Sequence, residues 1–280
     1  DLEFLRTAAR QASVAVMNAF LYEEVAGQER LKHELSIARR IQMESLPQHT
    51  PAIRGLDIAG VSIPAWEVGG DYFDYLNGSV GSLTVIVGDV SGKGTSAALY
   101  MSKIQGILRS LHGFVPSPRD LFIRANQLLW TDLEKKSFIT AIGASFSPDS
   151  CTLKIARAGH LPLFAYRASS GETERITPRG IGLGLSNGDL FAEEIEEQTL
   201  RFQPGDVFLF VSDGITEGTG DEGEEFGELR LREVLKTTAL ENAGAIKDAV
   251  LNAVRDFTHN GAPHDDQTVV VVKISLPLQN

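Results

Sequence analysis

At 280 residues the chain can hold one large domain or two small ones, and its 42% hydrophobic content is enough to build a buried core. A formal net charge of −11 and a pI near 5.1 argue against nucleic-acid and anionic-membrane partners, both of which need clustered Lys and Arg. The lone Cys151 cannot form an internal disulfide, and no apolar run approaches the roughly 18 residues of a membrane span, so a reducing, cytoplasmic setting without membrane insertion is expected. The chain starts at Asp1, with neither an initiator Met nor a signal-peptide layout, which suggests a piece cut from a longer polypeptide.

From Leu2 to about Leu46 there is no proline and a single glycine, Gly27, among strong helix formers, which predicts one long helix ended by Pro47 and Pro51. Within it Leu31, Leu35 and Ala38 follow 4-then-3 spacing beside Ile37 and Ile41, a narrow apolar stripe flanked by charged residues such as Glu29, Arg30, Arg39 and Arg40. Such a stripe calls for a partner helix, either in its own domain or, as expected here, in a parallel dimeric coiled coil. Residues 1–48 therefore read as a dimerising linker and 49–280 as a separate domain. After Gly55 the texture changes to short strand-like runs at 56–63, 72–76 and 83–87. Helical periodicity follows at 97–111 and 117–133, with Ser117 as N-cap and Pro118 at the first helical position. Further strands are expected at 138–146, 152–156, 163–167, 193–202, 206–211 and 268–274, and helices at 229–240 and 243–257. Strands grouped around helix pairs, without strict alternation, favour an α+β sandwich over a doubly wound parallel sheet.

The informative residues are acids at strand ends, each beside glycine or another acid: Gly69-Gly70-Asp71, Gly88-Asp89-Val90-Ser91-Gly92-Lys93-Gly94, Ser212-Asp213-Gly214 and His264-Asp265-Asp266-Gln267-Thr268. Any one alone reads as a turn former. Four together suit hard divalent cations such as Mg²⁺ or Mn²⁺, which prefer oxygen ligands, and no Cys/His cluster points to zinc.

In this order the motifs, with Ala158-Gly159-His160-Leu161-Pro162 and Glu67-Val68-Gly69-Gly70-Asp71-Tyr72-Phe73-Asp74, resemble the metal-dependent protein phosphatases of type 2C, and within them the RsbU-like and SpoIIE-like bacterial branch. The resemblance covers about residues 30–275 and implies an αββα sandwich of two antiparallel sheets flanked by helix pairs, with two Mn²⁺ or Mg²⁺ ions at one end. It further implies that Asp89 bridges both metals, that the Val90 carbonyl binds one, that Asp71 lies on the same side, and that Asp213 and Asp265 hold the second. Asp266 stands where other members carry Asn or Asp and is counted with Asp71, Asp89, Val90, Asp213 and Asp265 in the expected metal set. Asp71, Asp89, Asp213 and Asp265 are thus the expected catalytic residues, and water between the two cations, acidified towards neutrality, is the expected nucleophile.

The chain also departs from the animal members, with Trp66 where they carry a phosphate-gripping Arg and Ser91 where they carry a His. Lys93 reads as a solvated loop lysine rather than a phosphate contact, and Glu217 is a candidate aid to a third metal. His160 reads as a turn residue whose ring satisfies backbone groups, and Gly180 to Gly184 as a glycine-rich connection rather than a phosphate loop. The expected function is hydrolysis of phosphoserine or phosphothreonine on a bacterial regulatory protein, with a STAS-type anti-sigma-factor antagonist as the substrate the resemblance points to. An upstream sensor domain, dimerisation through the N-terminal helix, and signal transfer by repacking of that helix against 97–111 and 117–133 complete the expectation. Rival readings are a non-catalytic dimeric scaffold with a phosphatase-like fold and a two-metal nuclease or phosphodiesterase, the latter disfavoured by the low Lys and Arg content.

Overall fold

The computed structural model describes residues 2–78, 81–115, 117–133, 137–261 and 263–275. The chain divides into two units, Asp1–Met43 and Glu44–Asn280. The first is the body of helix α1 (Leu2–Ser45), 44 residues without proline and therefore about 66 Å long at 1.5 Å per residue. Stripe residues Leu31, Ile37 and Ile41 are exposed, as are Met17, Leu21 and Val25 further upstream. No helix among the described residues is long and apolar enough to cross a membrane.

The second unit is built on two five-stranded antiparallel sheets. One is ordered β1 (Leu56–Ile63), β10 (Gln267–Ile274), β9 (Val207–Val211), β6 (Leu163–Arg167), β7 (Glu172–Ile176). The other is ordered β2 (Tyr72–Asn77), β3 (Leu83–Val90), β4 (Ile139–Ser147), β5 (Thr152–Ala158), β8 (Glu197–Arg201). Helices α2 (Thr95–His112) and α3 (Pro118–Leu129) pack together on the second sheet; α6 (Gly227–Thr238) and α7 (Ala243–Phe257) pack together on the first. The result is the αββα sandwich expected, preceded by the long helix.

Period-2 burial explains the layering. On one face of the first sheet Val207, Leu209, Val269 and Val271 join Leu231 and Leu235 of α6 and Ile246, Val250 and Val254 of α7 in one core cluster. The alternate residues point between the sheets, where Phe208 meets Phe146 of β4 edge to face at 5.4 Å. Side-chain caps set the helix starts: Ser117 accepts from the Asp120 amide and Asn242 from the Ala245 amide.

Differences from expectation include two elements of the strand pattern. The strand expected over 193–202 is split into α4 (Gly188–Glu194) and β8, because the Asn187 side chain caps a short helix that buries Phe191. Strand β7 was not expected at all: its Glu-Thr-Glu-Arg-Ile run sits at a sheet edge with most side chains outward and has no apolar alternation. Gly171, at φ +71°, makes the hairpin that sends it back along β6.

Candidate active site

The four acidic motifs lie at one end of the paired sheets because the register puts them there. Tyr72 pairs with Gly88, so Asp71 and Asp89, one residue further along each strand, emerge side by side. In the other sheet Val211 pairs with Val269, which sets Ser212-Asp213 against Asp265-Asp266-Gln267. Asp213 opens the one-turn helix α5 (Asp213–Thr216). Ser212 locks that corner, its Oγ donating to the Asp266 carbonyl (3.1 Å) and accepting from the Thr268 amide (2.9 Å).

Two side chains of β10 and the turn before it then bind the sheets together. Thr268 Oγ1 donates to Asp71 Oδ2 (2.5 Å) and is bonded to Ser62 Oγ (2.9 Å). Asp266 accepts from the Ala65 amide (2.8 Å), the Gly70 amide (2.7 Å) and, at 3.4 Å, the Asp71 amide. Both oxygens of Asp266, which the expected metal set includes, accept amide hydrogens from the turn that presents Asp71. Two glycines of these motifs, Gly214 and Gly70, stand where a side chain has no room. A Cβ on Gly214 would run into the Asp266 carbonyl, and one on Gly70 would sit 3.0 Å from the Val90 carbonyl and 3.2 Å from Asp89 Oδ1. The Asp89 carboxylate and the Val90 carbonyl thus both lie against Gly70.

Electrostatically the cluster is short of positive charge. Burial, followed by repulsion from Asp213 and Asp265, pushes the Asp89 carboxyl up to about 8. Asp71 is held well above the ordinary carboxylate range, by burial first and then by Asp89. Asp213 is raised by burial and by Asp265, and Glu217 by burial and by Asp213. Lys93 supplies one cation from within the chain: its Nζ lies 2.7 Å from Asp265 Oδ2 and donates to the His264 carbonyl at 2.8 Å, which raises its own pKa. Among the described residues no three His, Cys, Asp or Glu side chains converge as a ready-made cage. The donor set is nonetheless all oxygen, partly desolvated and in excess of its counter-charges, which fits hard divalent cations once Asp265 turns from Lys93.

A groove of about 560 Å³ opens over the cluster, lined among others by Asp89, Asp213, Asp265, Lys93, Glu217, Arg157 and Arg175. His160 lies beneath it, buried, with Nδ1 2.8 Å from Thr140 Oγ1 and Nε2 3.2 Å from the Val211 carbonyl. A carbonyl accepts only, so Nε2 carries the proton and Nδ1 accepts from Thr140. Burial lowers its pKa to about 4, and the neutral ring ties the turn after β5 to β9 as a turn residue should. The Gly180 to Gly184 connection is likewise structural, with Leu183 exchanging two backbone bonds with Ile139 at 2.8 and 3.0 Å. Sequence reasoning missed Thr268 as the partner of Asp71 and Ser212 as the corner lock, although both stand inside motifs that could have flagged them.

Fold and acidic end together define a PP2C-type phosphatase domain. The sequence matches the model of the Stage II sporulation protein E (SpoIIE) family over residues 79–275, and the chain belongs to that family. It is 29% identical over 249 residues to "Phosphoserine phosphatase RsbU" of Bacillus subtilis (strain 168), covering 88% of this chain and 71% of that protein. Among solved structures, the SiaA-PP2C domain of Pseudomonas aeruginosa matches with a TM-score of 0.77 at 20% identity, over 89% of this chain and 98% of that one. RsbX, solved in complex with magnesium, matches with a TM-score of 0.61 at 16% identity, over 81% of this chain and 99% of that one.

Proposed function

We propose that the protein is a metal-dependent serine/threonine phosphatase that removes phosphate from phosphoserine or phosphothreonine of a regulatory protein, with a STAS-type anti-sigma-factor antagonist as its substrate class. The observation that carries this reading is the gathering of Asp89, Asp213 and Asp265 along one groove, in a cluster whose burial and mutual repulsion call for cations. Asp89, the Val90 carbonyl, Asp213 and Asp265 would hold two Mn²⁺ or Mg²⁺ ions, with Asp71 behind Asp89. Asp266 and Thr268 orient that face. Bound divalent cations supply Lewis-acid activation of water and neutralise the phosphoryl oxygens. The chain itself contributes the strand ends, the exclusion of bulk water around Asp71 and Asp89, and the Lys93 ammonium group, which would be released if Asp265 bound a metal.

Regulation through the N-terminal helix belongs to the same reading. Within the globular unit Gln105 and Arg109 of α2 both donate to the Ser45 carbonyl, at 2.8 and 2.9 Å. Arg109 also grips Asp74 of β2 through Nε (2.6 Å) and Nη2 (3.2 Å), and Asp74 accepts from Tyr72, the neighbour of Asp71 (2.9 Å). Displacement of the segment at Ser45 would therefore reach both α2, which starts soon after Asp89, and β2, the strand that follows Asp71. An upstream sensor domain and dimerisation along the exposed stripe would supply that displacement.

The test is Mn²⁺-dependent phosphate release from a phosphoserine protein by wild type and Asp89→Asn, with EDTA as control. Metal-dependent turnover lost in the variant is expected. Absence of turnover in every linker state, with tight binding of the partner, would replace the enzyme by a scaffold.

A further inference from the structure

The cations lining the groove are not equivalent. Lys93 is neutralised by Asp265 at 2.7 Å and Arg175 by Glu228 at 2.9 Å. Arg157, on β5, forms no ion pair among the described residues. It is half-buried, and burial and the nearby Arg175 charge both act against its own charge. Its guanidinium is nevertheless held firmly, with Nε donating to the Pro178 carbonyl at 2.9 Å and Nη1 to the His160 carbonyl at 2.7 Å. Those two carbonyls fix the plane of the fork but bring no negative charge, and the other N–H groups have no protein partner among the described residues. A partly desolvated cation kept beside a like charge and denied a carboxylate is unfavourable in isolation. The same group, pre-oriented and facing a groove that begins at Asp89, is a receptor for an oxyanion.

We infer that Arg157 is a substrate-binding residue, receiving an oxyanion of the phosphorylated partner in the groove that begins at the acidic cluster. This rests on the phosphatase reading above for the identity of the ligand. Two oxyanions of such a substrate have the required chemistry, the phosphoryl group itself and the carboxylate of an acidic residue flanking the phosphoserine. The position of Arg157 lets it serve a ligand held at the cluster. It lies on the second strand from Asp89, since Asp89 pairs with Thr140 on β4 and Ile142 of β4 pairs with Arg157. At strand spacings of about 4.8 Å and a rise of about 3.3 Å per residue, the two Cα atoms stand roughly 12 Å apart, a span that a phosphorylated side chain and its neighbour can bridge.

The experiment measures binding and turnover separately on the whole chain, for wild type, Arg157→Gln and Arg157→Lys. Fluorescence anisotropy, with Mn²⁺ and with EDTA, reads affinity for phosphoserine peptides flanked by Asp or by Ala. Steady-state kinetics read KM for the same peptides and for nitrophenyl phosphate. Loss of the charged fork should weaken binding roughly tenfold or more in Arg157→Gln, with a partial loss in Arg157→Lys, which keeps the charge and the stem. A loss shared by Ala-flanked peptides and nitrophenyl phosphate assigns the phosphoryl group; a loss confined to Asp-flanked peptides assigns the neighbouring carboxylate. Affinities and KM values within twofold of wild type in both variants, for every ligand, overturn the inference. Wild type that binds the peptides through Arg157 but hydrolyses none of them would leave the receptor standing and remove the phosphatase.

Discussion

Replacing Asp89 by Asn should stabilise the metal-free protein even as it abolishes metal-dependent activity. In the folded chain the Asp89 carboxyl is raised from 3.8 to about 8, by burial before all else and then by Asp213 and Asp265. At about 1.36 kcal/mol per pKa unit, forcing this group to ionise at pH 8 costs at most about 6 kcal/mol. Asparagine removes the charge but leaves a buried amide, so a gain of roughly 2 kcal/mol is expected. That corresponds to about 4–8 °C in Tm for a domain of this size. A folded-state pKa above the unfolded value means that the folded chain retains a proton the unfolded chain has lost between about pH 4 and pH 8. The stability contributed by this group is therefore present at low pH and disappears as pH rises through 8. In EDTA the Tm advantage of Asp89→Asn should accordingly be large at pH 8 and small at pH 5. Saturating Mn²⁺ should reverse the order, because wild type gains about 2.7 kcal/mol at a hundredfold excess over Kd and the variant gains little. Differential scanning calorimetry at the two pH values, with Mn²⁺ and with EDTA, reads all four states. A variant less stable than wild type in EDTA at pH 8, or an advantage identical at pH 5, refutes the reasoning.

Lys93→Met should raise Mn²⁺ affinity several-fold in isothermal titration, because the ammonium that competes for Asp265 is gone; an unchanged or weaker affinity would show that Lys93 does not compete. Asp266→Ala strands the Ala65 and Gly70 amides and should cost about 2–4 kcal/mol in urea denaturation with EDTA present, with Asp266→Asn losing less because it keeps one acceptor oxygen. Wild-type stability in Asp266→Ala would mean that water takes over both amides.

Much of the fold is legible along the chain. Continuous apolar runs such as Val207–Val211 and Val269–Val272 announce strands covered on both faces, and α7 declares itself through Ile246, Val250 and Val254 at helical spacing. The same reading fails at β7, whose edge position asks nothing of its side chains, and at α4, where one cap at Asn187 outweighs the local strand propensity. The acidic motifs are equally visible as residues, since three of the four couple an aspartate to a glycine against which another segment packs and the fourth is a pair of acids.

Identity and order of those aspartates, the oxygen-only donor set and the long proline-free helix are thus properties of the sequence by itself. What each acid does depends on neighbours some 200 positions away. Asp71 is held by Thr268, Asp266 is spent on the Ala65 and Gly70 amides, and Asp265 is paired with Lys93. Arg157 acquires meaning only because folding gives the groove's other cations carboxylate partners and leaves it with two carbonyls. Residue type sets which bonds a side chain is able to make. Burial and the long-range register of the two sheets decide which of them are made, because desolvation and charge repulsion act through space and leave no trace in local sequence pattern.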